Sequence, residues 1–428
     1  MLMSYSDIRL SLLWGWDVGR MMKFYWLLIM LMLLVGCQGT LPTAQPGVRP
    51  IYLLQQLPES DLKQRLQACQ HNTFYRSDFS IAHRGAPLMF PEHSLESYQA
   101  AITMGAGMVE CDVAFTADQQ LVCRHAQCDL HQTTDILLRP TLAEKCSQPF
   151  VAADPTTGTS ASARCCTSDI TVAEFSSLCA KMDGVNTAAQ QVADYVKGTP
   201  VWRTELYTQC AKPMTHQESV ALFKQQGVKM VPELKQAEVP MPFNSRYSQQ
   251  QYAQQLVDDY KASGVPPSQV YLQSFNWQDI EYWLTFEPEF GRQAIWLDER
   301  YEQPGFDAMK PDSWQPSMQQ LKDAGLNIIA PPLWVLVTEQ KGKIVPSRYA
   351  LAAKAAGLKI IAWSLERSAP LKTGGDWYYQ SLPLTATDDS AVLQLLDVLS
   401  QDVGVIGVFS DWPATTTYYA NCLLNPKH

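Results

Sequence analysis

Short runs rich in β-branched and aromatic residues recur along the chain from Ser80 onward. They read SIAHRG (80–85), MVECDV (108–113), LVCRHA (121–126), KMVPEL (229–234), QVYLQSF (269–275), QAIWL (293–297), NIIAPP (327–332), KIIAWSL (359–365) and VIGVFSD (405–411). Between most of them lie stretches with helical spacing, such as SLESYQAAITMGAG, RYSQQQYAQQLVDDYKASG and SRYALAAKAAGLK. Strands that alternate with helices predict a parallel sheet with right-handed crossovers. About eight such units over roughly 250 residues is the arithmetic of a TIM-type (β/α)8 barrel. Nine runs are one too many. LVCRHA follows MVECDV after a tight TADQQ turn, so it is expected to fold back as a hairpin and not to serve as a stave.

The alternation fails between Cys128 and Lys224. That stretch holds ADPTTGTSASARCC and a concentration of cysteines, and reads as a Cys-rich insertion of about 100 residues on one face of the barrel. The chain has 11 cysteines. Setting Cys37 aside leaves an even number, which in an exported chain predicts disulfides. Zinc-type C-x₂-C spacing is missing, Cys165 and Cys166 are adjacent, and no H-x₃₋₅-H follows, so a structural zinc site is the poorer reading. The pairing is not legible.

Export is suggested at the other end. FYWLLIMLMLLVG (24–36) follows Arg20 and Lys23; it is short against the roughly 20 residues of a bilayer span and has a signal peptide's charged flank. Leu34-Val35-Gly36-Cys37 resembles a bacterial lipobox, which implies cleavage before Cys37, lipidation of that residue, and a membrane-anchored protein. Gln38 after it favours the outer membrane in that resemblance. Residues 1–36 are therefore read as signal peptide, 37–50 as a Pro/Gly-rich tether, and 51–428 as the barrel carrying the 128–224 insertion. A formal charge of −9 with no basic block argues against nucleic acid as a partner. Nothing in the sequence fixes the oligomeric state.

Chemistry gathers at the predicted strand ends, where barrels place their sites. His83 and Arg84 end the first run, Glu110 and Asp112 share one face of the second, about 6.6 Å apart along the strand, and His125 ends the hairpin. Glu233 and Lys235 share a face of KMVPELK, and Asp411 closes the last run. Converging carboxylates repel unless a cation sits among them, and hard oxygen ligands suit Ca²⁺ or Mg²⁺. Arg84 and Lys235 suit phosphate oxygens, and two histidines suit general acid and base. The pattern points to metal-assisted phosphoryl chemistry.

H-R-G-A-x₄-P-E-H-S (83–94), G-A-G-M-V-E-C-D-V (105–113), T-A-D-x-x-L-V-C-R-H (116–125), P-E-L-K (232–235), Q-S-F (273–275), A-W-S (362–364) and S-D-W-P (410–413) together resemble the glycerophosphodiester phosphodiesterase family. The resemblance implies a divalent cation held by Glu110, Asp112 and Glu233, and an acid–base pair formed by His83 and His125. It places Arg84 and Lys235 on the phosphate, Trp363 along the substrate cleft, and Glu92 in support. The implied reaction is hydrolysis of small glycerophosphodiesters to sn-glycerol 3-phosphate and an alcohol. Departures from the family pattern are His125-Ala126 for His-Asp, Pro91-Glu92-His93-Ser94 for PENT, and Glu366 where a neutral residue is usual. Two other readings stay open: a lysophospholipase D-like enzyme acting on lipids, and a non-catalytic binding protein on the same barrel.

Overall fold

A computed structural model of the chain describes residues 42–373, 375 and 377–424. The predicted signal peptide and the lipidation residue Cys37 lie outside the described residues. No helix among them is long and apolar enough to cross a membrane.

Eight parallel strands close into a barrel: β1 (Ser77–Ala82), β2 (Ala106–Phe115), β3 (Lys229–Leu234), β4 (Gln273–Ser274), β5 (Ile295–Leu297), β6 (Ile328–Ala330), β7 (Lys359–Leu365) and β8 (Gly407–Ser410). Each pairs with the next, and β8 pairs with β1. Crossover helices follow in sequence: α1 (Leu95–Thr103), α2 (His216–Gln226), α3 (Gln249–Ala262), α4 (Trp277–Phe286), α5 (Met318–Asp323), α6 (Arg348–Ala355), α7 (Ala391–Asp397) and α8 (Pro413–Leu423). This is a TIM barrel. Helix starts are set locally: Ser248 and Ser317 accept hydrogen bonds from Gln251 and Gln320, which reach back to the cap, the reciprocal pattern of a capping box.

The ninth run is the hairpin. Leu121–Cys123 pairs antiparallel with β2, because TADQQ is too short for the crossover that a parallel pair needs. Side-chain alternation divides the barrel into two apolar layers. Ile81, Met108, Val231, Ile295, Ile328 and Phe409 fill its interior, while Val109, Cys111, Tyr98, Val257 and Trp283 belong to the layer between strands and helices.

Two expectations about extents change. Within the supposed tether, Thr43–Ala44 pairs with Phe74–Tyr75, and its last two residues, Arg49 and Pro50, open a helix that runs to Gln56. Proline is favoured there because its fixed φ suits the turn and its missing N–H would have had no partner, so the composition that suggested a linker marks a helix start. At the far end of the insertion, α2 begins at His216, capped by a Thr215/Glu218 box, and it is the barrel's own helix before β3.

The residues between the hairpin and α2 contain short pieces, including a hairpin of Gln148–Val151 with Ser162–Arg164. Their small core centres on Leu130, Ile136, Phe175 and Tyr195. Cys128–Cys166, Cys146–Cys165 and Cys179–Cys210 cross-link this stretch. Cys111–Cys123 ties β2 to its hairpin strand, and Cys69–Cys422 ties the N-terminal helices to α8. Five disulfides belong to an oxidising compartment and support export.

Candidate active site

The strand register assembles the acidic groups. Glu110 and Asp112 are two apart on β2, so both face the barrel interior; β3 pairs with Asp112 opposite Glu233, and β4 with Glu233 opposite Gln273. Cys111 points the other way and is pinned by Cys123. One oxygen from each of Glu110, Asp112 and Glu233 lies within 4.8 Å of the others, and all three residues are buried.

Electrostatics make this triad unstable by itself. Burial and the neighbouring Asp112 and Glu233 charges push the Glu110 carboxyl well up. Burial and Asp112 push Glu233 up to about 7, although Lys235 opposes them. Burial also acts on Asp112, but Lys235, His93 and Arg84 outweigh it and hold that carboxyl well below the usual range. Asp112 Oδ1 is buried without a hydrogen-bond partner, a costly arrangement for a charged oxygen. Three hard oxygen donors at this spacing suit a cation whose oxygen ligands sit at roughly 2.0–2.6 Å. The residues present therefore fit a divalent metal ion.

The predicted histidines and cations surround the triad. His83 follows β1, and its Nδ1 lies 2.6 Å from Asp411 Oδ1. Asp411 is held ionised, against burial, chiefly by Arg367 and His83; a carboxylate only accepts, so His83 donates from Nδ1. Its Nε2 is left facing the site, 4.0 Å from Glu110 Oε2. Burial and Arg84 lower the His83 pKa to about 4, with Asp411 opposing. His125 is half-buried in the same cavity, and burial with Arg84 and Lys235 lowers its pKa well below the ordinary value. Both imidazoles are thus neutral at pH 7.

Arg84 sits at φ 56, where its backbone N–H donates to Glu110 Oε2 at 2.9 Å and its Nη1 to Glu92 Oε2 at 3.0 Å. The turn depends on Gly85, at φ 100: a Cβ there would lie 2.3 Å from Ser97 Oγ, whose hydroxyl caps the Ala86 N–H. Lys235 Nζ contacts Glu233 Oε1 at 2.5 Å. Trp363 stands over the cavity with its Nε1 donating to Ala330 O at 2.7 Å. All the residues singled out from the sequence between 83 and 363 therefore converge on one end of the barrel.

Several supports were not singled out from the sequence. His93, in the place of the family's Asn, donates from Nε2 to Asp112 Oδ2 at 3.0 Å, and its Nδ1 lies 2.8 Å from the Tyr98 hydroxyl. Gln273 donates to Glu110 Oε1 at 2.8 Å. Arg367, one residue beyond Glu366, bonds Asp411 Oδ2 at 3.0 Å and approaches Glu92 at 3.7 Å; its position at the end of β7 was the clue available. Arg203 and Asp183 come from the insertion: Arg203 pairs with Asp183 and reaches Asp411 Oδ2 at 3.4 Å. Two departures from the family pattern also resolve. Glu366 turns away from the site to a buried pair with Arg49 and a hydrogen bond from Thr415. Next to His125, Ala126 offers no carboxylate, and its N–H donates to Asp129 at 3.0 Å.

The groups line a cavity of about 550 Å³. A larger, more apolar cavity of about 680 Å³ opens beside it, bordered by Arg49, Phe90, Trp202 and Leu371. It contains none of the triad or the histidines, so the chemistry belongs to the smaller one.

Comparison with known proteins gives the family. Residues 83–415 match the model of the glycerophosphoryl diester phosphodiesterase family. An extracellular protein of Arthroderma benhamiae is 46% identical over 246 residues, which is 56% of this chain and 99% of that one. A Mycobacterium tuberculosis protein named as a glycerophosphodiester phosphodiesterase is 53% identical over 47 residues, 11% of this chain and 17% of its own. Among solved structures, a Silicibacter pomeroyi protein assigned as a glycerophosphoryl diester phosphodiesterase superposes with a TM-score of 0.52 at 17% identity, covering 81% of this chain and 93% of that one; at that identity the likeness concerns the fold. With the match running from His83 through Asp411, the two ends of the site, the chain belongs to the glycerophosphoryl diester phosphodiesterase family.

Proposed function

We infer that the protein hydrolyses glycerophosphodiesters to sn-glycerol 3-phosphate and an alcohol, with Glu110, Asp112 and Glu233 as metal ligands. The observation that carries this reading is the buried triad, with its unpartnered Asp112 oxygen, set beside two neutral imidazoles, Arg84 and Lys235 in one cavity. A bound Ca²⁺ or Mg²⁺ would supply Lewis-acid polarisation of a phosphoryl oxygen.

The chain's own groups do the rest. Arg84 and Lys235 neutralise the charge that builds on the phosphoryl oxygens; fixed cations in a dry site act there without reorganisation. His83 accepts a proton at Nε2 while Asp411 keeps its Nδ1–H in place and steadies the imidazolium that results. His125 lies across the same cavity as the second proton-transfer group. Overall, the oxygen of water ends on phosphorus, the P–O bond to the alcohol breaks, and the alcohol oxygen takes a proton. Trp363 lines the organic part of the substrate, and Glu92 holds the Arg84 fork. Export, with Cys37 as the lipid-bearing residue and anchorage in the outer membrane, fits the five disulfides and is part of this reading.

Phosphorus NMR of glycerophosphocholine incubated with the purified protein and either cation tests it. The expected result is loss of the diester signal with matching growth of glycerol 3-phosphate. A diester signal unchanged with both cations, from disulfide-intact protein, would overturn the reading.

A further inference from the structure

The catalytic cavity is divided by charge. Its inner end carries Arg84, Lys235 and Arg367, each paired with a carboxylate. The other part is an aromatic wall. Trp363 stacks on Trp377 at 5.8 Å and 25°; Tyr301 meets Trp377 edge-on at 5.3 Å and Trp363 at 6.2 Å; Tyr378 meets Trp377 at 5.1 Å. All four rings line the cavity and are partly exposed to it.

Two carboxylates, Glu299 and Glu302, stand in the same lining on either side of Tyr301. Neither has an ion-pair partner among the described residues, whereas the cations at the inner end all do. Both are exposed to the cavity mouth; partial burial and the charges of Glu302 and Asp298 push the Glu299 carboxyl up, so a cation near the pair would relieve their repulsion. Ring faces attract cations by roughly 0.5–2 kcal/mol depending on desolvation, and a quaternary ammonium is the cation most easily stripped of water.

We propose that Tyr301, Trp377 and Tyr378, with Glu299 and Glu302, form a subsite for a cationic alcohol, so that the preferred substrates are diesters of choline type. The cavity then complements a zwitterion, phosphate toward Arg84 and Lys235 and ammonium toward the aromatic wall. This rests on the diesterase reading above and adds the identity of the alcohol. None of these five residues belongs to the motifs that carry the family resemblance; they come from the segments after β5 and β7.

The test compares glycerophosphocholine with its neutral isostere, the 3,3-dimethylbutyl ester, in which carbon replaces the ammonium nitrogen. The wild-type kcat/KM ratio is expected to favour choline about tenfold or more at low salt, consistent with a cation held by ring faces and two carboxylates, and to shrink as salt screens the carboxylates. Trp377→Ala and the double variant Glu299→Gln/Glu302→Gln should each bring the ratio toward one. Tetramethylammonium should quench tryptophan fluorescence in the wild type and not in Trp377→Ala. Equal cleavage of both esters by the wild type would overturn the subsite and leave the diesterase reading standing. A preference that survives both variants would overturn its location. Cleavage of neither ester would remove the diesterase reading, and the subsite with it.

Discussion

The barrel and the disulfide-tied insertion solve the same problem, holding side chains still, by opposite means. In the barrel, register does it: Asp112 lies opposite Glu233 and Glu233 opposite Gln273, over an interior closed by Ile81, Met108 and Phe409. A one-residue slip would turn every carboxylate to the wrong face, so burial of the core and placement of the site are one constraint. The insertion has no strand longer than Gln148–Val151 and only a small core. Cross-links take over, and Cys179–Cys210 closes the loop that contains both Asp183 and Arg203. The difference shows in what each contributes. Barrel strand ends supply the groups in the cavity; the insertion supplies Arg203 and Asp183, which brace Asp411 from outside.

If that division is right, substitutions in the barrel should remove activity and those in the insertion should only tune it. The largest effect is expected from His83→Ala, a loss of roughly 10²–10⁴-fold in kcat, the usual worth of a general acid or base, with thermal unfolding little changed. Asp411→Asn comes next. It removes a charge-assisted hydrogen bond of about 1.5–3 kcal/mol, so kcat/KM should fall about 10- to 150-fold; a loss below twofold would break the argument that Asp411 orients His83. The pH profile sharpens this. With His83 lowered to about 4 by burial and Arg84, the base is lost only as pH falls through about 4, and activity limited by it should persist at pH 5. Because Asp411 raises that pKa, Asp411→Asn should move the acid limb further down. An acid limb near 6.5 in the wild type would contradict the geometry.

Smaller effects belong to the insertion. Cys179→Ser/Cys210→Ser should cost roughly 2–4 kcal/mol, the typical contribution of a disulfide, felt locally. Hydrogen exchange should speed up between residues 130 and 212 while β1–β3 keep their protection; uniform loss across the barrel would erase the distinction. Arg203→Met is the mildest change, expected to lower kcat/KM by only a few-fold, since Arg367 still holds Asp411 Oδ2 at 3.0 Å.

Legibility followed the same division. Strand ends were readable because period two places Glu110 with Asp112 and Glu233 with Lys235, and because barrels put chemistry there. The surplus ninth run resolved as a hairpin from the length of its turn alone. His93, Gln273 and Arg203 were not readable, since their roles depend on which side chains the barrel brings within 3–4 Å. Disulfide pairing depends on the same proximity: Cys69 and Cys422 are 353 residues apart in sequence. Thr43–Ala44 and the helix start at Arg49–Pro50 fell in the stretch read as tether because Pro marks both linkers and helix starts, and composition does not separate the two.

The central claim is that Glu110, Asp112 and Glu233 form a cation site on which hydrolysis depends. It is tested most directly by stripping the protein with EDTA, titrating in Ca²⁺ or Mg²⁺, and following Tm and glycerol 3-phosphate release together in wild type and Asp112→Asn. The account predicts that one of the cations raises both in the wild type over the same concentration range and neither in the variant. Full release in EDTA, or undiminished cation-dependent release by Asp112→Asn, would contradict it.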